Sequence, residues 1–316
     1  MLLTDYLRSE RDITWDFAAQ CGVRHGTVRL PESADFDITD FSHFREVYKR
    51  FTDFGIKPVV IEPMPNALHD HIKAGDAMRD ECIEKVIKML DFMDRLDIRT
   101  LCFNFMAHIG WLRTSDRYEE RGGALVTEFD IKDFKAGEAR ISEGELWKNY
   151  EYFIRAVIPH AERHGIRLAL HPDDPPISPL GGVSRIMISY ENIRRAIETV
   201  KSDCLGVTMC QANFLMMGED LYDIIPRLCD KIFFVHFRNV TGNKYKVHET
   251  LHDGGDIDMA RILRLYRSLG VDVPIRVDHV PLMAGEGQGN VGYTALGRLY
   301  AIGYLKGLLE MSELNL

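Results

Sequence analysis

Residues 232–237 read "IFFVHF", five apolar side chains and one histidine in a run too short to be a helix. A segment apolar on both faces is a strand buried on both sides, which is what a parallel sheet covered by helices requires. Working outward, the same signature recurs at 27–30 "TVRL", 57–62 "KPVVIE", 100–105 "TLCFNF", 167–171 "RLALH", 204–210 "CLGVTMC" and 273–278 "VPIRVD", with a weaker run at 2–6. Between these runs the period changes to that of helices. Ile83, Val86, Ile87, Leu90 and Met93 share one face. "SEGELWKNYEYFIRAVIPHAERHG" opens with Ser142 three residues before Glu145 and stops at Gly165, a capping-box start and a glycine end. Eight β-then-α units predict an α/β protein with a (β/α)8 TIM barrel; a doubly wound open sheet is the competing arrangement.

The chain has 316 residues, 46% hydrophobic and 28% charged, enough to bury a large core. No composition break divides it, so one barrel domain is expected over 1–316, with an elaborated loop at about 106–141. A net charge of −9 argues against nucleic acid or an anionic membrane as partner. It leaves room for a small anionic substrate, because local cations override the global field. The start, "MLLTDYLRSERDITWDF", has no apolar core of signal-peptide length, and no later stretch is long enough to span a bilayer. Six scattered cysteines, with no CxxC pair, point to a reducing cytoplasm.

Alternation along the strands fixes which side chains point inward. His171 shares a face with Ala169, Cys210 with Thr208 and Gly206, His236 with Phe234, and Asp278 with Arg276. The opposite face is apolar throughout: Leu168 and Leu170, Val207 and Met209, Phe233 and Val235, Ile275 and Val277. That face should meet the helices, so four consecutive strands deliver two imidazoles, a thiol and a carboxylate to the carboxyl-end rim, where barrel enzymes place their chemistry. One buried histidine is ordinarily just hydrogen-bonded. Four donors at one register share an explanation in a divalent metal, which would also let Asp278 stay ionised. The mixed donor set admits Mn2+, Fe2+, Co2+ or Zn2+.

Six motifs in order, "LALHPDDPP", "TMCQANF", "FVHFRNV", "HETLHDGGDIDM", "RVDHVP" and "GYTALGRLYAIGYLKGLLE", resemble the mannonate dehydratase family, sugar-acid lyases on a xylose-isomerase-like barrel. The similarity is dense from about 168 to 309 and thinner from about 57 to 113, where "FNFMAHIGWLRT" resembles a family segment. The resemblance implies metal ligation by His171, Cys210, His236 and Asp278, Mn2+ as the usual ion, and His279 with Tyr293 as the acid–base pair. It further implies Arg238 as a substrate contact, and Asn104, Trp111 and, in second place, His252 are further candidates. The expected reaction is dehydration of D-mannonate to 2-keto-3-deoxy-D-gluconate by a homo-oligomer, dimer or tetramer. A sugar isomerase or epimerase on the same barrel, or a non-catalytic sugar-acid binder, are the competing functions. The first strand, "MLLTDYLRSE", departs from the family's aromatic-rich type, and "CQAN" and "RVDH" stand where the family has "CxGN" or "CxGS" and "RPDH". Arg276 is expected to pair inward with Glu62 or another core acid, and the competing, non-functional reading of "HPDDPP" is a rigid turn with Asp173 and Asp174 solvated.

Overall fold

The computed structural model describes residues 1–287 and 289–313. Its strands run β1 (Leu2–Arg8), β2 (His25–Arg29), β3 (Lys57–Ile61), β4 (Thr100–Phe103), β5 (Ser115–Glu119), β6 (Leu125–Asp130), β7 (Arg167–Leu170), β8 (Leu205–Cys210), β9 (Ile232–Phe237), β10 (Val240–Asn243), β11 (Lys246–Glu249) and β12 (Pro274–Val277). Eight of them close a barrel in the order β1-β12-β9-β8-β7-β4-β3-β2. Because β1 pairs in parallel with both β2 and β12, the sheet has no edge and the open-sheet arrangement falls away. Each run expected from the sequence is one of these eight strands.

The helices form where the apolar period changes. Helix Arg79–Arg95 buries Ile83, Val86, Leu90 and Met93 against the barrel. Helix Glu143–His164 starts at a true capping box: the Ser142 hydroxyl accepts from the Glu145 amide, and the Glu145 carboxylate accepts from the Ser142 amide at 2.9 Å. Gly165, at φ 61°, ends it in the left-handed conformation.

Leu168, Leu170, Val207, Met209, Val235, Ile275 and Val277 face the helices in the main core, while Val60, Cys102, Ala169 and Phe234 fill the barrel interior. Phe233 breaks the expected alternation and joins the interior cluster. The β8–β9 register explains it: Val207 pairs with Ile232 and Thr208 with Phe234, so Phe233 is an extra bulged residue. Gly206 makes the room. A Cβ there would sit 2.3 Å from the Lys231 carbonyl oxygen and 2.6 Å from the Phe233 ring. Gly206→Ala is therefore expected to destabilise the fold by about 1–3 kcal/mol, read as a lower urea midpoint at unchanged slope.

The segment expected as an elaborated loop contains β5 and β6, and β6 pairs antiparallel with β11 of the β10–β11 hairpin. In the resulting sheet, β10-β11-β6-β5, Glu249 of β11 reaches His279, just past the end of β12. Among the described residues no helix is long and apolar enough to cross a membrane.

Candidate active site

Register brings the expected donors level. Cys210 pairs with His236 across β8–β9, and His236 with Arg276 across β9–β12. His171 follows β7 directly, and Asp278 and His279 follow β12. His171 Nε2 and His236 Nδ1 face each other at 3.2 Å, and His171, Cys210 and His236 place donor atoms all within 4.8 Å of one another. Two facing ring nitrogens need a proton or a cation between them. His236 Nε2 is buried and, among the described residues, without a hydrogen bond; it lies 2.9 Å from Glu62 Oε1 but off the line a hydrogen bond needs. Desolvation holds His171 below the ordinary histidine value, which keeps it a neutral donor despite Asp278 and Glu62 nearby. This donor set fits a divalent transition metal.

A second group, Glu62, Cys102 and His236, is equally compact, but its chemistry is poorer. Arg276 grips both oxygens of Glu62 at 2.7 and 2.9 Å, so that carboxylate is already compensated, as the inward pairing anticipated. Burial and the adjacent Glu62 push the Cys102 thiol well above its ordinary value, so it does not offer a thiolate. Glu62 is better placed to orient His236 from outside the cluster.

Asp278 touches the cluster with one oxygen. Its Oδ2 lies 3.7 Å from His236 Nδ1, while Oδ1 accepts from Arg276 Nη1 at 2.9 Å. It is not among the donors that lie mutually within 4.8 Å. The protein's own charges already favour the ionised form of Asp278. Burial would raise its carboxyl, but His279, Arg276, His236 and Arg238 outweigh that and hold it well below the usual range.

His279 is 5% exposed and held at both ring nitrogens. Nδ1 lies 2.9 Å from Glu249 Oε1, and Nε2 lies 3.2 Å from the Tyr293 hydroxyl. Burial opposes ionisation of Glu249, yet Arg238, His279 and Arg113 keep it far below the usual value. An ionised Glu249 only accepts, so Nδ1 carries the proton toward it, and in the neutral ring Nε2 is the acceptor for the tyrosine hydroxyl. Burial, reinforced by Asp278, pushes the Tyr293 hydroxyl well above the ordinary phenol value, so it stays protonated near neutral pH.

Two expected substrate contacts stand elsewhere. Arg238 is completely buried and does not line the cavity. Its guanidinium donates to Glu249 at 2.6 and 2.9 Å, to Asp174 at 2.8 Å and to Asn213 at 2.7 Å, and passes 3.6 Å from the Cys210 sulfur. Each of its three nitrogens is engaged, and it holds Glu249, Asp174 and Asn213 in place from outside the cavity. His252 is equally buried, its Nε2 at 2.8 Å from the Phe237 carbonyl behind the site. Nor are Asp173 and Asp174 solvated. Asp174 bridges Arg113 and Arg238, and Asp173 Oδ2 accepts from the amides of Ile186 and Met187.

Asn104 and Trp111 do line the cavity, a space of about 270 Å³ bounded also by Tyr6, Glu62, His171, His236, Asp278, His279 and Tyr293. Trp111 stands 37% exposed at its mouth, with its ring 4.7 Å from His279. Tyr6 supplies an aromatic from the first strand despite the unusual sequence there, its ring 5.7 Å from that of Tyr293. Glu286 accepts from the amides of Met283 and Leu296 and so closes the glycine-containing loop before Tyr293; Gln288 of that loop lies outside the described residues. Sequence reasoning did not single out Glu249 or Arg113. Both are brought in by the capping sheet and its flanks, through pairings between segments more than a hundred residues apart.

The chain is similar to known proteins along most of its length. The D-mannonate dehydratase (UxuA) family model matches residues 6–140 and 131–315. A mannonate dehydratase of Oceanobacillus iheyensis is 32% identical over 294 residues, covering 83% of this chain and 82% of that protein. The crystal structure of the mannonate dehydratase from Streptococcus suis serotype 2 superposes with a TM-score of 0.90 at 27% identity, over 99% of this chain and 93% of that one. A xylose isomerase-like TIM barrel protein from Mycobacterium smegmatis shares the fold, with a TM-score of 0.63 at 14% identity over 95% of this chain and 87% of that one. With this barrel, this donor cluster and a family match along nearly its whole length, the chain belongs to the mannonate dehydratase family of hydro-lyases.

Proposed function

We propose that the chain dehydrates D-mannonate to 2-keto-3-deoxy-D-gluconate, with His171, Cys210, His236 and Asp278 holding Mn2+ and with His279 and Tyr293 moving the protons. The reading rests chiefly on one observation: a histidine–tyrosine pair at 3.2 Å lines the same small cavity as the clustered imidazoles. A volume of about 270 Å³ is below the range of drug-sized sites, and suits a small metabolite.

A divalent cation bound there would polarise the substrate carboxylate and make the adjacent C–H more acidic. The chain's own groups then have distinct tasks. His279 Nε2, the acceptor end of a ring oriented by Glu249, takes the proton from C2. Tyr293, kept protonated by its surroundings, gives its proton to the hydroxyl leaving C3, so that water departs instead of hydroxide. The C2–H and C3–O bonds break, the C2=C3 enol forms, and protonation at C3 yields the keto acid. Trp111 covers His279 from the mouth and limits the access of water to it.

The test is incubation of purified protein and Mn2+ with a panel of sugar acids and free sugars, assayed for 2-keto-3-deoxy acid. D-mannonate should be consumed with release of water; an isomerised or epimerised sugar without keto acid would overturn the assignment. Metal analysis of the protein as isolated, with reconstitution by Mn2+, Fe2+, Co2+ and Zn2+ in parallel, checks the ion; highest turnover with Mn2+ is expected.

A further inference from the structure

Two strands along the barrel from β7, helix Asn66–Ala74 follows β3 and contributes Asn66, Asp70 and Lys73 to the cavity wall. Their spacing, i, i+4 and i+7, puts them on one helical face, while Leu68, His69 and Ile72 pack inward. Lys73 is the unusual member. Its side chain is only 3% exposed, yet its sole hydrogen bond among the described residues is to Asp70 Oδ1 at 3.2 Å. An ammonium has three donors, and a buried one left short of acceptors is costly. The partner, Asp70, is 64% exposed and has acceptor capacity to spare.

We infer that Asn66, Asp70 and Lys73 form a subsite that reads the hydroxyl-bearing end of the substrate remote from its carboxylate. This rests on the sugar-acid reading above. If the carboxylate lies at the donor cluster and C2 under His279, the rest of a six-carbon chain extends toward β3 and β4. There a Lys–Asp pair presents donors and acceptors side by side, which matches adjacent hydroxyls. Because the pair is neutral overall, a second carboxylate at the far end gains no net charge attraction. The subsite therefore selects long monocarboxylic polyhydroxy acids over short ones and over dicarboxylates.

The experiment uses the full chain loaded with Mn2+ and measures calorimetric binding and turnover for D-mannonate, a four-carbon aldonate and the six-carbon dicarboxylate. Lys73→Met, close in size and apolar, should weaken D-mannonate roughly tenfold, as loss of a charge-assisted hydrogen bond does. The effect should fall on KM more than kcat, and the four-carbon acid should be unaffected. Asp70→Asn, at an exposed position that tolerates change, should shift preference toward the dicarboxylate by about tenfold because the ammonium is no longer neutralised. Equal losses for long and short acids, or an unchanged dicarboxylate preference in Asp70→Asn, would overturn the subsite. Wild-type protein that binds D-mannonate with chain-length selectivity but forms no keto acid would sink the lyase reading and leave the subsite standing; binding none of the acids would sink both.

Discussion

His279→Gln should lower turnover of D-mannonate by about 10²–10⁴-fold, the usual contribution of a positioned proton-transfer group. The backbone at 279 is set by its neighbour: the Asp278 amide donates to the Phe237 carbonyl at 3.2 Å, and the Asp278 side chain is gripped by Arg276. The imidazole is then fixed from both ends by Glu249 and Tyr293. A glutamine cannot present a basic nitrogen at the position of Nε2, yet it leaves His171, Cys210 and His236 untouched. Metal content should thus stay at the wild-type level while kcat collapses. Tyr293→Phe should do comparable damage by removing the hydroxyl. Glu249→Gln should cost less than either, since it loosens the ring without removing it. Steady-state kinetics with metal analysis on the same samples decides the matter. Activity within a factor of two of wild type for His279→Gln would remove the histidine from the proposed chemistry.

How much of this was legible beforehand depends on the range of the interaction that places each residue. Strand faces follow from a two-residue period, a local property, so His171, Cys210 and His236 could be assigned to one rim from the sequence. The same rule failed at Phe233, because a bulge opposite the Val207–Thr208 step inserts one residue and resets the parity, with Gly206 making room for the ring. Arg238, which the resemblance implied as a substrate contact, lies past the end of β9, where strand alternation no longer governs direction. There the carboxylates of Asp174 and Glu249 draw the guanidinium inward. Those carboxylates come from the turn after β7 and from the end of β11, and nothing in a linear reading indicates that they meet. Lys73 was passed over for a similar reason: on a helical wheel it is an ordinary polar position, and only closure of the barrel places it against a cavity.

That correction at Arg238 carries the second large effect. Arg238→Met should destabilise the protein by about 3–5 kcal/mol, the usual consequence of removing one partner from a buried ion pair. The methionine fills much of the space but leaves Asp174 and Glu249 with Arg113 as their one arginine partner, donating to them at 2.8 Å each, and Glu249 with His279 besides. The sign of the pH dependence follows from the carboxylates. Burial alone would raise both, but Arg113 and Arg238 hold Asp174, and Arg238, His279 and Arg113 hold Glu249, below the unfolded values of about 3.9 and 4.3. Groups with depressed folded values stabilise the native state above their unfolded values, and that contribution fades as pH falls through the folded ones. The gap between wild type and Arg238→Met should therefore be widest near neutral pH and narrow progressively below about pH 4. Urea unfolding at neutral and at acidic pH measures it, and a gap of the same size at both would mean that lost packing, not lost charge pairing, is what the variant reports. Turnover should fall as well even where the variant is folded, because Glu249 orients His279 only while Arg238 and Arg113 keep that carboxylate in place.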